Sequence, residues 1–176
     1  MKMFGSWQKD KEPKAPELAA FGDSPVDASG GERSGLGQNR KILVVDDNQV
    51  VLKAFEMKLK ALSFQVLTAQ DGASAVSLAR QEKPDLIVLD INFPPEVGSS
   101  GLQWDGFNIM QWMQRFQEVA TTPVIIITSG DPDKFKARAL AAGAVAFFQK
   151  PINQDEFIMA VRRALGQQRG AKAATA

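Results

Sequence analysis

A chain of 176 residues is long enough to bury the core of one domain. Its charges nearly cancel, 21 basic against 20 acidic for a formal net charge of +1, which leaves no electrostatic footprint for nucleic acid. Cysteine and histidine are both absent, which excludes a disulfide framework, thiolate or imidazole metal sites, a cysteine nucleophile, histidine acid–base chemistry and a phosphohistidine on this chain. No apolar run approaches a membrane span, and the first residues lack the apolar core of a signal peptide. A soluble, cytoplasmic protein is expected.

Residues 1–40 carry Pro13, Pro16 and Pro25 among scattered Gly, Ser and mixed charge, with no sustained period. They read as a disordered N-terminal extension. Phe4, Trp7 and Phe21 are either incidental there or part of a short docking peptide. Residues 29–37 read as flexible linker, and their glycines do not form a phosphate loop because no strand precedes them.

Lys41-Ile42-Leu43-Val44-Val45 is an apolar, mostly β-branched run that stops on Asp46-Asp47-Asn48. Such a run reads as a strand buried on both faces. Two acids cannot continue it into a core, so they mark the carboxyl end. Taken alone, the stretch reads more readily as a strand followed by a helix cap than as a site. A helix is expected over 49–62, with Val51, Leu52, Phe55, Leu59 and Leu62 on its inner face. A second strand follows over 64–69. Asp71-Gly72 opens a helix over 73–81, which Lys83-Pro84 ends.

Asp85-Leu86-Ile87-Val88-Leu89-Asp90 is a third strand, again ending in an acid. A long loop, 91–105, leads to Asp105-Gly106 and a third helix over 107–117, apolar around much of its circumference. Pro123 to Ser129 is a fourth strand, ending in the hydroxyls Thr128 and Ser129. Asp131-Pro132 opens a helix over 133–142, and Gly143 ends it. Ala144 to Phe148 is a fifth strand, leading to Gln149, Lys150 and Pro151. Asn153-Gln154-Asp155-Glu156 reads as a capping box for the last helix, whose inner stripe is Phe157, Ile158, Val161, Ala164 and Leu165. Gly166 is expected to stop that helix, and residues 167–176 to form a disordered tail.

Strands alternating with helices at this rhythm call for a parallel sheet with right-handed crossovers. Five strands and five helices fit an α/β doubly wound sheet, in which ligands bind beyond the carboxyl ends of the strands. On that rim stand Asp46, Asp47, Asp90, Thr128 and Lys150. Three carboxylates repel one another unless a cation neutralises them, and an all-oxygen ligand set points to Mg²⁺, with Mn²⁺ as the alternative.

The set formed by Asp46-Asp47, Asp90, Thr128 and Lys150-Pro151 resembles the receiver domain of two-component response regulators, over about Lys41 to Leu165 and a domain of 41–166. The resemblance implies the flavodoxin-like strand order. It implies Asp90 as the phosphoryl acceptor, with Asp47 and Asp90 as direct Mg²⁺ ligands. Asp46 would act partly through water, and the Asn92 backbone carbonyl would complete the set. Lys150 and Thr128 would contact the phosphoryl oxygens, Lys150-Pro151 would be cis, and Phe147 would match the switch aromatic. Phe147 as plain core is the equal alternative. The readout surface would be the fourth helix, last strand and last helix. Asn92 and Gly130 stand where the family tunes acyl-phosphate lifetime, and a glycine there predicts no special acceleration of hydrolysis. Loop 91–105 departs from the family pattern: it is longer than usual, and is either a lid or partner contact or an inert insertion.

The expected function is therefore a stand-alone receiver that takes a phosphoryl group from a histidine kinase or phosphotransfer protein and switches a partner-binding surface. The alternatives are a phosphoryl sink or relay without an output partner, or a phosphorylation-independent scaffold. A metal phosphatase would need a water-activating base that the sequence does not display. No DNA-binding or enzymatic output domain is expected, and Met1 together with the polar tail suggests a complete chain.

Overall fold

The computed structural model describes residues 39–92, 96–97, 103–104 and 106–173. The expectations for residues 1–38 and for most of the long loop lie outside what is described.

Five of the apolar runs pair side by side, all parallel. They are β1 (Lys41–Val45), β2 (Gln65–Ala69), β3 (Leu86–Asp90), β6 (Val124–Thr128) and β7 (Ala146–Gln149), in the order β2-β1-β3-β6-β7. Asp90 pairs with Ile127, and Thr128 with Gln149, so the carboxyl ends of the strands fall on one rim. β3 and β6 are buried at every position, as continuous apolar runs in a doubly covered sheet should be.

Alternation along each strand divides the core in two. Leu43, Val45, Ile87, Leu89 and Ile126 face α2 (Gly72–Glu82), α3 (Gly106–Gln114) and α4 (Pro132–Ala141). Ile42, Val44, Val88, Ile125 and Ile127 face α1 (Gln49–Ala61) and α5 (Gln154–Ala173). Phe147 packs on the first of these layers and its neighbour Phe148 on the second, where it meets the Phe157 ring edge-on at 5.8 Å. The expected α/β doubly wound sheet with five helices is thus the observed one.

Local chemistry sets the helix ends. Asn48 caps α1 by accepting from the Val50 N–H, Asp71 caps α2 by accepting from that of Ser74, and Asp131 caps α4 with Pro132 directly after it. Asn153 Oδ1 accepts from the backbone N–H groups of Asp155 and Glu156 at the start of α5. Gly143 follows α4 at φ +97°, a left-handed position that disfavours a side chain.

Three elements differ from expectation. α5 does not stop at Gly166 but runs to Ala173. Gly166 sits in helical geometry with open space around its α-carbon, and the Gln, Arg, Ala and Lys that follow are good helix formers, so the cost of about 1 kcal/mol per glycine does not end the helix. α3 ends at Gln114, and the chain then turns through short-range bonds such as Phe116 N–H to Met113 C=O and Val119 N–H to Phe116 C=O. Within the long loop, β4 (Glu96–Val97) pairs antiparallel with β5 (Gln103–Trp104).

Candidate functional site

Asp46 directly follows β1 and is fully buried; its N–H donates to the Ala69 carbonyl at 3.1 Å, which continues the ladder one residue past the strand. Its Oδ1 accepts from the Asn48 N–H at 3.0 Å. Asp90 closes β3, is nearly as buried, and its Oδ1 accepts from the Asn92 N–H at 2.8 Å. Thr128 closes β6, and its Oγ1 accepts from the Gly130 N–H at 3.0 Å. One device is thus used three times. A strand-end side chain bonds the backbone two residues on, turning the chain out of the sheet while holding one oxygen in place.

Lys150 joins these ends. Its N–H donates to the Thr128 carbonyl at 2.8 Å, and the Lys150-Pro151 peptide that follows is cis. Its Nζ lies 2.5 Å from Oδ2 of Asp46 and 2.5 Å from Oδ2 of Asp90. Burial raises the pKa of the Asp46 carboxyl above the ordinary carboxylate value, against the opposing hydrogen bond from Lys150. Burial acts to lower the Lys150 pKa, but hydrogen bonds to Asp46 and Asp90 outweigh it and the ammonium is held above its usual range.

Asp47 is exposed beside them. Oxygen atoms of Asp46, Asp47 and Asp90 lie within 4.8 Å of one another. Three carboxylates at that separation, with no nitrogen or sulfur donor, fit a hard divalent cation. Among the described residues, no buried side-chain nitrogen or oxygen lacks a hydrogen-bond partner.

The structure brings together Asp46, Asp47, Asp90, Thr128 and Lys150 on one rim, as the strand ends predict. Phe147 is half-buried on the next strand, under the α2–α3–α4 layer. Sequence reasoning missed the Asn48 N–H as a fixed partner of Asp46. The signal was present: Asp46-Asp47-Asn48 and Asp90-Ile91-Asn92 repeat one spacing, an acid with its turn amide two residues on. It also missed Phe135 on α4, whose ring lies against Gly130, a contact that no local pattern announces.

Residues 42–162 match the response regulator receiver domain. The chain belongs to that family. Among relatives, the transcriptional regulatory protein KdpE of Mycobacterium tuberculosis is 33% identical over 124 residues, which cover 70% of this chain but 50% of KdpE. The chain therefore spans half the length of that relative. The polar-differentiation response regulator DivK of Brucella anthropi is 28% identical over 127 residues, covering 72% of this chain and 97% of DivK. Chemotaxis protein CheY4 of Vibrio cholerae superposes with a TM-score of 0.62 at 25% identity, covering 71% of this chain and 98% of CheY4. Among the described residues, no helix is long and apolar enough to cross a membrane.

Proposed function

We propose that this receiver is phosphorylated on Asp90 by a histidine kinase or a histidine phosphotransfer protein. A carboxylate oxygen of Asp90 forms the new bond to phosphorus as the donor's phosphorus–nitrogen bond breaks. The electron pair returns to the donor imidazole, and an acyl phosphate is left on Asp90. The observation that carries this reading is the Lys150 ammonium held 2.5 Å from both Asp46 and Asp90, across two strand ends. Structural ion pairs exist elsewhere on this chain, such as Arg40 with Asp85, but that pair clasps the opposite rim and, among the described residues, belongs to no cluster of three acids.

Each residue has a distinct part. Asp46, Asp47 and Asp90 would hold Mg²⁺, with Mn²⁺ as the substitute and the Asn92 backbone carbonyl completing the set. The ion would screen the charge of nucleophile and phosphoryl group during in-line transfer. Lys150 offers a compact positive charge to a phosphoryl oxygen in exchange for its present carboxylate partners. Thr128 exchanges its Gly130 partner for another phosphoryl oxygen, its hydroxyl turning from acceptor to donor. A phosphoryl group adds about −1.5 to −2 charge, and the movement of Thr128 that follows would be read through Phe147 on the adjacent strand. The output surface is α4, β7 and α5, facing a protein partner. Phosphoryl acceptance and loss are the only chemistry proposed for this domain of about 41–166, and the cytoplasm is its proposed setting.

The test is intact mass after incubation with Mg²⁺ and acetyl phosphate, beside Asp90→Asn. One added phosphoryl group in the parent and none in the variant is the expected result. No addition under conditions where Mg²⁺ binds would leave the protein a scaffold that uses the receiver fold without phosphorylation.

A further inference from the structure

Gly130 has no room for a side chain. A Cβ there would stand 2.6 Å from Cε2 and 2.9 Å from Cδ2 of Phe135, and 3.2 Å from Oγ1 of Thr128. The place a side chain at 130 would occupy is taken by an aromatic ring from the next helix, directly beside the Thr128 hydroxyl. The Phe135 backbone N–H donates to the Asp131 carbonyl at 3.3 Å in the first turn of α4, and its ring lies at a tilt to Phe107, centroids 6.4 Å apart. Phe107 is itself buried and lies under the Arg138 guanidinium at 3.9 Å. It follows Gly106, whose own absent Cβ would stand 2.7 Å from the Asp90 carbonyl oxygen.

We propose that Phe135 is a positioning residue that shuts water out of the Thr128 side of the site and thereby prolongs the acyl phosphate. The inference rests on Asp90 being the phosphoacceptor. Hydrolysis requires a water oxygen to bond to phosphorus while the bond from phosphorus to the Asp90 carboxylate oxygen breaks. The carboxylate keeps the electron pair, and the water's protons leave with phosphate. An attacking water must find space near phosphorus and a group to orient it. The Phe135 edge takes up space next to Thr128 and, being a hydrocarbon, offers no acceptor for the water's proton. Gly130 has no side chain that could offer one.

The experiment uses the full chain, loaded with acetyl phosphate and Mg²⁺, freed of donor and followed by intact mass. Phe135→Leu keeps an apolar filler but removes the ring edge, and is expected to lose its phosphoryl group at least twofold faster than the parent. Phe135→Ala is expected to lose it faster still, and Phe135→Tyr to restore the parent lifetime. Loading rate and Mg²⁺ affinity should stay within twofold of the parent, a split that general loosening of the site would not give. A folded Phe135→Leu that decays at the parent rate overturns the proposal. A parent that takes up no phosphoryl group at all overturns the phosphoacceptor reading, and this inference falls with it.

Discussion

The α-carbon of Ile91 lies 2.4 Å from where a methyl group on Gly106 would stand. The long insertion leaves the sheet after Asp90 and Ile91, and Gly106 brings the chain back against those same two residues. The two ends of the loop are thus fastened together beside Asp90. Gly106→Ala must push α3 away from β3, and overpacking of this kind costs about 1–3 kcal/mol. Urea unfolding should show that loss, together with slower phosphorylation of Asp90. An unchanged midpoint would mean that α3 slides freely and that the fastening is loose.

Lys150→Met should destabilise the metal-free protein by about 2–3 kcal/mol, because it leaves Asp46 and Asp90 buried with no cation. The figure sits below that for a fully enclosed pair because the Lys150 side chain is 19% exposed. Adding Mg²⁺ should recover more stability in the variant than in the parent. Equal gains in both proteins would show that Lys150 does not neutralise the cluster.

Asp46 gives a pH signature in the absence of metal. Its folded-state pKa lies above the unfolded value of 3.8, chiefly because burial disfavours the charge. The folded state therefore binds this proton more tightly than the unfolded chain, and stability contributed here falls as pH rises from about 3.8 through the folded-state value. Asp46→Asn cannot ionise. Its stability relative to the parent should climb across that window in EDTA and then level off. Lys150 acts at the other end of the scale. Its raised pKa means that its contribution is complete below about 10.5 and is lost as pH rises through the folded-state value. A parent-to-variant difference that ignores pH would rule out burial as the dominant influence on Asp46.

Mg²⁺ should raise stability by about 2.7 kcal/mol at a hundred times its Kd. Asp47→Ala tests which acid the ion needs. Asp47 is exposed, so its loss should change metal-free stability by less than about 0.5 kcal/mol while most of the Mg²⁺-dependent gain disappears. Retention of the full gain would remove Asp47 from the ligand set.

Much of this was legible in the chain itself, for definite reasons. The runs of β1, β3 and β6 are apolar throughout, so the residue at which each becomes polar marks the rim. Asp46, Asp90 and Thr128 could be placed there before any coordinates. The helix caps were legible because Asn48, Asp71, Asp131 and Asn153 carry side chains that bond nearby amides, a purely local matter. What stayed hidden has no signature in the local pattern. Nothing around Gly130 indicates that a ring five residues on will fill its side-chain space. Gly166 read as a stop because glycine so often ends helices, yet whether it does depends on its backbone angle, which composition does not reveal. The β4–β5 pairing joins two-residue strands too short to show any period.

Phe147 and Phe148 are adjacent in sequence yet lie on opposite faces of β7, one under α2, α3 and α4 and the other against α5. The chain therefore carries two neighbouring aromatic probes that look into separate compartments. Fluorine placed on one ring and then on the other would give a resonance for each side of the sheet. If only the first moves when Asp90 is loaded, the message is confined to a single layer of helices. If both move, the strand itself has shifted, and each helix layer in contact with it receives the signal at once.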